Sequence, residues 1–276
     1  MANFHLPPVG YGPGSQPDID GELEYMSLPS GMRTYSPHLP DVNDLASVAP
    51  ALATLQDIAQ ACDICACRGQ TASFDLTRLE KASRALMAET FGQGEVSMKI
   101  RGNPALMVQE SVFAGVWMVA GAGVDRVEVG AVPSDAIARA FVPHKPALLT
   151  LVPRGAGVVN APPILAELID KAKSHVAGSM PHVVNLTLLP HTEQDLVWLA
   201  DALGDGAVTI LSRGYGNCRI TATGLDSVWR VQFYNSQDNL ILDTFEITAM
   251  PEVALAARED LADSGARILE VLEAIR

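Results

Sequence analysis

The only thiols in this 276-residue chain are four cysteines. Three crowd into Cys62-x-x-Cys65-x-Cys67, and Cys218 stands far downstream. Three thiolates plus a distant fourth are a donor set for zinc or an iron–sulfur cluster, and closely spaced thiols also suit reversible redox chemistry. Two observations favour packing instead. Cys62 and Cys65 fall i, i+3 on the apolar stripe of a predicted helix, where a free cysteine behaves as a small hydrophobe. C-x-x-C-x-C is also not a common structural-metal spacing. The expectation is core packing with no bound metal or cofactor; a thiol, iron–sulfur or redox carrier built on Cys62, Cys65, Cys67 and Cys218 is the alternative.

Other chemistry-bearing types are scattered. His5, His38, His144, His175, His182 and His191 form no i, i+4 pair and no His-Glu-x-x-His. No Gly-x-Ser-x-Gly elbow or phosphate-cradling Walker loop occurs. Gly121 and Gly123 lack the third glycine of a dinucleotide turn and read as a hairpin. Asp260 and Asp263 fall on a solvated helix face. No catalytic constellation emerges, and the expectation is a protein that is not an enzyme.

The strongest signal is internal. Residues 92–119 and 204–231 share eight identities in 28 positions at an offset of 112: Gly92/Gly204, Gly94/Gly206, Val96/Val208, Arg101/Arg213, Gly102/Gly214, Val116/Val228, Trp117/Trp229 and Val119/Val231. After six extra residues in the second copy, Glu128-Val129-x-Ala131-Val132-Pro133 matches Glu246-Ile247-x-Ala249-Met250-Pro251. A repeat of this kind points to a duplicated supersecondary unit.

The unit reads as helix, four-stranded antiparallel meander, helix. The first meander is expected over 95–100, 106–109, 114–119 and 125–131, and the second over 207–212, 218–223, 228–234 and 240–248. Helices are expected over 47–68, 77–91, 163–175 and 192–203, the last with Thr192 and Asp195 at capping-box spacing. Each meander ends in proline followed by a helix; the final one carries the stripe Ala254, Ala257, Leu261, Ser264, Ile268, Leu272 and Ile275. Strands are expected over 147–152 and 183–189. The class is α+β, with helices covering one sheet face. The expected division is an arm at 1–45, a half-domain at 46–145 and a second at 146–276.

The arm stands apart in composition. It holds seven prolines, six acidic residues and one basic residue, Arg33, with Phe4, Tyr11, Tyr25 and Tyr35 between them. Pro-rich sequence disfavours helices and central strands, so an extended segment is expected, either draped over the body with its aromatics as pegs or mobile until a partner orders it. A formal charge of −13 argues against a nucleic-acid partner and leaves room for a basic protein partner. No apolar run is long enough for a membrane span, and the N-terminus has neither a basic nor an apolar export region. A cytoplasmic location with reduced thiols is therefore expected.

What only the second copy has draws attention as a binding surface. Its six extra residues are expected to lengthen each hairpin strand by about three and to set a polar tip, Asn235-Ser236-Gln237-Asp238-Asn239, on an aromatic stem that includes Tyr234. The turn Arg213-Gly214-Tyr215-Gly216-Asn217-Cys218 is expected at the opposite end of the same meander, where Arg213 could clamp a backbone or a carboxylate. The candidate partner-binding residues are Arg213, Tyr215, Asn217, Tyr234, Asn235, Ser236, Gln237 and Asp238.

These same residues carry a family resemblance. The run Ile210-Leu-Ser-Arg-Gly-Tyr-Gly-Asn-Cys-Arg-Ile-Thr-Ala-Thr223, with Val228-Trp229, Tyr234-Asn-Ser-Gln-Asp238, Leu240-Ile-Leu242 and Pro251-Glu-Val253, resembles the C-terminal region of hydrogenase expression/formation proteins of the HupH/HyaF/HoxQ type. Gly12-Pro-Gly-Ser-Gln-Pro17 and Leu28-Pro-Ser-Gly-Met32 resemble that family's N-terminus. The resemblance implies a non-enzymatic maturation factor for uptake NiFe-hydrogenase. Such a factor binds the iron–sulfur small-subunit precursor before export, and other hydrogenase accessory proteins are further partners. It carries over no catalytic residue set. A structural subunit whose duplicated sheets pair into a homodimer is a third expectation.

Overall fold

The computed structural model describes residues 45–213 and 216–275; the Pro-rich arm, apart from Leu45, lies outside the described residues. The described chain runs α1 (Leu45–Arg68), β1 (Ala72–Asp75), α2 (Lys81–Phe91), β2 (Val96–Ile100), β3 (Leu106–Glu110), β4 (Val116–Gly121), β5 (Val124–Val129) and α3 (Ser134–Arg139). It continues with α4 (Ala161–Ser174), β6 (His182–Asn185), α5 (Glu193–Leu203), β7 (Val208–Ser212), β8 (Asn217–Ala222), β9 (Val228–Tyr234), β10 (Leu240–Ile247) and α6 (Arg258–Ile275). All ten strands join one antiparallel sheet in the order β1-β5-β4-β3-β2-β7-β8-β9-β10-β6. The class is α+β.

Both expected meanders are present, and β2 and β7 join them. The register there is Val96↔Ser212, Met98↔Ile210 and Ile100↔Val208. Each of these pairs relates to the pairing at the other end of the joint by the 112-residue offset. Flanking bonds obey it too: the Arg101 N–H donates to the Ala207 carbonyl at 2.8 Å, and the Arg213 N–H to the Glu95 carbonyl at 3.1 Å.

The shared residues do the same work in each half. Gly92 and Gly204 end α2 and α5 with φ of +54° and +63°, a backbone that other residues adopt only with strain. A Cβ on Gly94 would lie 2.2 Å from the Ser111 carbonyl oxygen, and one on Gly206 would lie 2.7 Å from that of Thr223, the matching position. Trp117 and Trp229 are fully buried; their indole N–H groups donate to the carbonyls of Gly130 (2.9 Å) and Thr248 (3.2 Å), also matching positions. A buried indole needs such a partner.

Alternation along the strands divides the core into three clusters. On one face, the two tryptophans, Met98, Ile100, Val208, Ile210 and Val231 pack under α3 and the turn at Glu252–Ala254. On the other face, β4 and β5 bury Val116, Val127 and Val129 beneath α1, α2 and α6. At the far flank of that face, Val184, Val228, Phe245 and Ile247 lie beneath α4 and α5. The expectation that helices cover one face is thus corrected: among the described residues each face is covered in part by helices, and the middle of the second is left open. The final helix crosses to the first half. Gly265 lets α6 approach α1, since a Cβ there would lie 2.8 Å from the Ala59 carbonyl oxygen.

Several boundaries differ from the reading of the sequence. Residues 147–152, expected as a strand, hold a 3-10 turn at Leu149–Leu151 that sends Leu149 and Val152 to the third cluster. Pro146 and Pro153 bracket this run, and a short apolar stretch does not reveal its period. The strand expected over 183–189 stops at Asn185, where a 3-10 turn buries Leu186. α2 begins at Lys81 rather than 77, because the Asp75 carboxylate binds the N–H and hydroxyl of Thr77 in a turn. β1 is a four-residue edge strand too short to show a period. Ala254 and Ala257 precede α6, and Ala257 is exposed.

Asp195 is the most heavily bonded carboxylate described. Thr192 and Asp195 form the expected capping box on α5, while the second carboxylate oxygen accepts the N–H groups of Val159, Asn160 and Ala161 at the start of α4. Burial works to raise its pKa, but the bonds from Thr192, Ala161 and Val159 prevail and bring it down to about 2. Because the native pKa lies below the unfolded one, this stabilisation is complete above the unfolded carboxylate range and fades as pH falls toward 2. Asp195→Asn should lower the thermal midpoint by roughly 5–10 °C at pH 7. In calorimetry the gap should close as pH falls below about 3.

Candidate partner-binding end of the second meander

The loops β7–β8 and β9–β10 are the first and third of one antiparallel meander, so they emerge at the same end. This corrects the expectation that the Arg213 turn lies opposite the hairpin tip. The register pairs Asn217 with Tyr234, and the Asn217 Nδ2 donates to the Asp238 Oδ1 at 3.2 Å, tying the two loops together. Between them is a hollow of about 420 Å³ lined by Leu211, Ser212, Arg213, Asn217, Cys218, Arg219, Tyr234 and Asp238. Arg213, Asn217, Tyr234 and Asp238 therefore meet in one place. Tyr215 lies outside the described residues.

The hairpin tip organises itself. The Asn235 side-chain oxygen accepts the N–H groups of Gln237 (2.9 Å) and Asn239 (3.0 Å), and the Asn235 N–H donates to the Asn239 carbonyl at 2.9 Å. Asp238 takes the left-handed backbone at φ +58°, which Asp tolerates better than most residues. Ser236, Gln237 and Asp238 are left exposed, with Asn235 half-buried beneath them.

The extra length is not distributed as expected. β9 and β10 have seven and eight residues against six each in β4 and β5. Half of the six extra residues therefore enter the loop. A bulge between Leu240 and Leu242 leaves Leu240 and Ile241 both exposed, at 47% and 56%. The apolar run Leu240-Ile241-Leu242, which cannot alternate as written, was the sequence signal for this. Bulges commonly re-aim side chains beside functional surfaces, and exposed apolar pairs suit protein contact. Arg219 and Leu211, which flank the hollow, are also absent from the residues singled out by sequence.

The Arg-Gly pair differs between the halves. The Arg101 Nη1 donates to the Thr209 Oγ1 at 3.1 Å, and Arg139 binds the carbonyls of Arg101 and Pro104. Arg213 and Arg219 are exposed and make no ion pair among the described residues.

The four thiols do not gather in one place. Cys62 and Cys65 belong to the α1 cluster, and Cys218 to the tryptophan cluster. Burial pushes the Cys62 and Cys218 thiols up to about 12 and also raises Cys65, so they stay protonated and are poor metal ligands or nucleophiles. Among the described residues, no group of three His, Cys, Asp or Glu side chains is placed to hold a metal ion, and no helix is long and apolar enough to cross a membrane. A groove of about 1010 Å³, lined by Cys65, Val183, Phe233, Glu246, Leu255 and Arg258 among others, includes none of the candidate partner-binding residues.

Comparison with known proteins decides the family. The model of the "HupH hydrogenase expression protein, C-terminal conserved region" matches residues 48–140 and 158–275. The chain belongs to the HupH family of hydrogenase expression/formation proteins. It is 68% identical to the hydrogenase expression/formation protein HupH of Rhodobacter capsulatus, over all of both chains. It is 44% identical to HoxQ of Cupriavidus necator, covering 99% of this chain and 98% of that one. A more distant relative, the hydrogenase-1 operon protein HyaF of Escherichia coli, is 32% identical over 98% and 95% of the two chains.

The thiol burial makes a direct prediction. Cys67 is the exposed cysteine of the four. Ellman's reagent should titrate one thiol rapidly in native protein and all four in denaturant. Protection of Cys67, or rapid reaction of Cys62 or Cys218, would contradict this arrangement.

Proposed function

We propose that this HupH-family protein is a non-enzymatic assembly chaperone in hydrogenase maturation. In this reading it binds the iron–sulfur small-subunit precursor of an uptake NiFe-hydrogenase in the cytoplasm before export, and meets other hydrogenase accessory proteins there. Family membership carries the coarser role in hydrogenase expression and formation. One observation carries the finer one. The two loops that distinguish the second half converge at one end of the sheet, linked by the Asn217–Asp238 bond and bordered by exposed Leu240 and Ile241. Polar loops beside exposed apolar side chains, with an arginine that makes no ion pair among the described residues, have the composition of a protein-recognition surface.

The reading includes the architecture. We take residues 46–145 and 146–276 as half-domains descended from one duplicated unit, with 1–45 as a Pro-rich, acidic arm set apart by composition. The matching bonds of Trp117 and Trp229, and the two stretches matched by one family model, support this.

Tagged protein co-expressed with the precursor should capture it. Replacing 235–239 by the two-residue turn of the first hairpin, or changing Arg213 to Glu, should weaken capture by roughly tenfold or more without shifting the thermal midpoint. Undiminished capture by both variants would overturn this surface.

A further inference from the structure

The open middle of the sheet continues directly from the candidate site. Strand register puts Met107, Lys99, Leu211 and Arg219 on this face, on the adjacent strands β3, β2, β7 and β8: Lys99 faces Met107, and Leu211 faces Arg219. All four side chains are exposed, Met107 at 58% and Leu211 at 42%. Neighbouring positions on the same face are Ser97, Gln109, Thr209 and Thr221, which are short or neutral. Helices flank this strip on both sides and leave it uncovered.

Its charge runs against that of the chain. The protein carries −13 overall, yet Lys99, Arg213 and Arg219 lie on or beside this strip without an ion pair among the described residues. The carboxylate nearest the strip on β10, Asp243, is buried and already held by Arg230 at 2.6 Å. Asp125, at the far side, lies 3.7 Å from Arg84, and Glu95 is at the margin beside the Arg213 backbone. A solvated antiparallel face needs no such pattern.

We propose that this strip docks an extended segment of a partner polypeptide in which acidic and apolar side chains alternate on one face. The track reads apolar, cation, apolar, cation. Lys99 and Arg219 are two strand spacings and one two-residue step apart, roughly 12 Å. Side chains four residues apart in an extended segment are separated by roughly 13 Å, so two carboxylates at i and i+4 reach the two cations. The side chain between them lies over Leu211, and the next one outward lies over Met107. Charge complementarity sets the orientation and the apolar contacts hold it. The inference rests on the client-binding reading above, because it extends the same surface down the sheet.

The test uses the full chain and two fluorescein-labelled peptides. One alternates Leu and Glu at every second position with Ser between; the other carries Lys in place of Glu. By anisotropy at low ionic strength, the Glu peptide should bind at least about tenfold more tightly than the Lys peptide, and added salt should weaken it. The double variant Lys99→Glu/Arg219→Glu should lose that preference with an unchanged thermal midpoint, since both side chains are exposed and neither makes an ion pair among the described residues. Equal binding of the two peptides, or binding that survives the charge reversal, overturns the inference. Precursor capture separates it from the reading it rests on. Capture lost in the loop variants but intact in the charge-reversed one sinks only the strip. Charge-dependent peptide binding without any capture sinks the client and leaves the strip standing.

Discussion

The β2–β7 pairing is the constraint on which the rest of the structure depends. Alone, each four-stranded meander would expose a full strand edge, an invitation to unwanted pairing. Joined, the two edges satisfy each other, and Met98, Ile100, Val208 and Ile210, all 1% exposed or less, form the centre of a core that neither half could enclose. Because paired positions here are related by the repeat offset, one set of sequence choices serves both sides of the joint. The arrangement is the self-complementary interface of a two-fold dimer, made within one chain.

The joint also decides where the sheet is left open. Helices α1, α2 and α6 cover one flank of the sheet and α4 and α5 the other, each anchored far from the joint. Among the described residues the middle strands are therefore buried on the tryptophan side and open on the other. The convergent loops of the second meander stand at one end of that opening. The asymmetry between the halves thus sits on a nearly symmetric frame.

Much of this was legible because backbone geometry restricts residue choice. Gly92, Gly94, Gly204 and Gly206 mark helix ends and close strand approaches that no larger side chain tolerates, so they recur. Trp117 and Trp229 recur because each needs the same buried carbonyl partner. The misreadings have equally local causes. The 147–152 run has apolar residues but no decisive period, and the edge strand β1 spans only four residues. In the hairpin, counting residues could not say that half of the extra length would enter the loop, because the bulge beside Ile241 depends on how Leu242 meets Phe233 across the strands.

By itself the sequence determined the α+β class, the two meanders, the capping of α5 and the residues that set the second half apart. These are set by local chemistry: side-chain period, glycine backbone freedom and cap bonding. Tertiary structure alone decided that the meanders fuse edge to edge, that α6 crosses to α1, and that Lys99 and Arg219 share an open face though 120 residues apart in number. Strand pairing between distant segments depends on which edges can satisfy each other and which apolar faces can be buried together. No window of sequence contains both partners of such a choice.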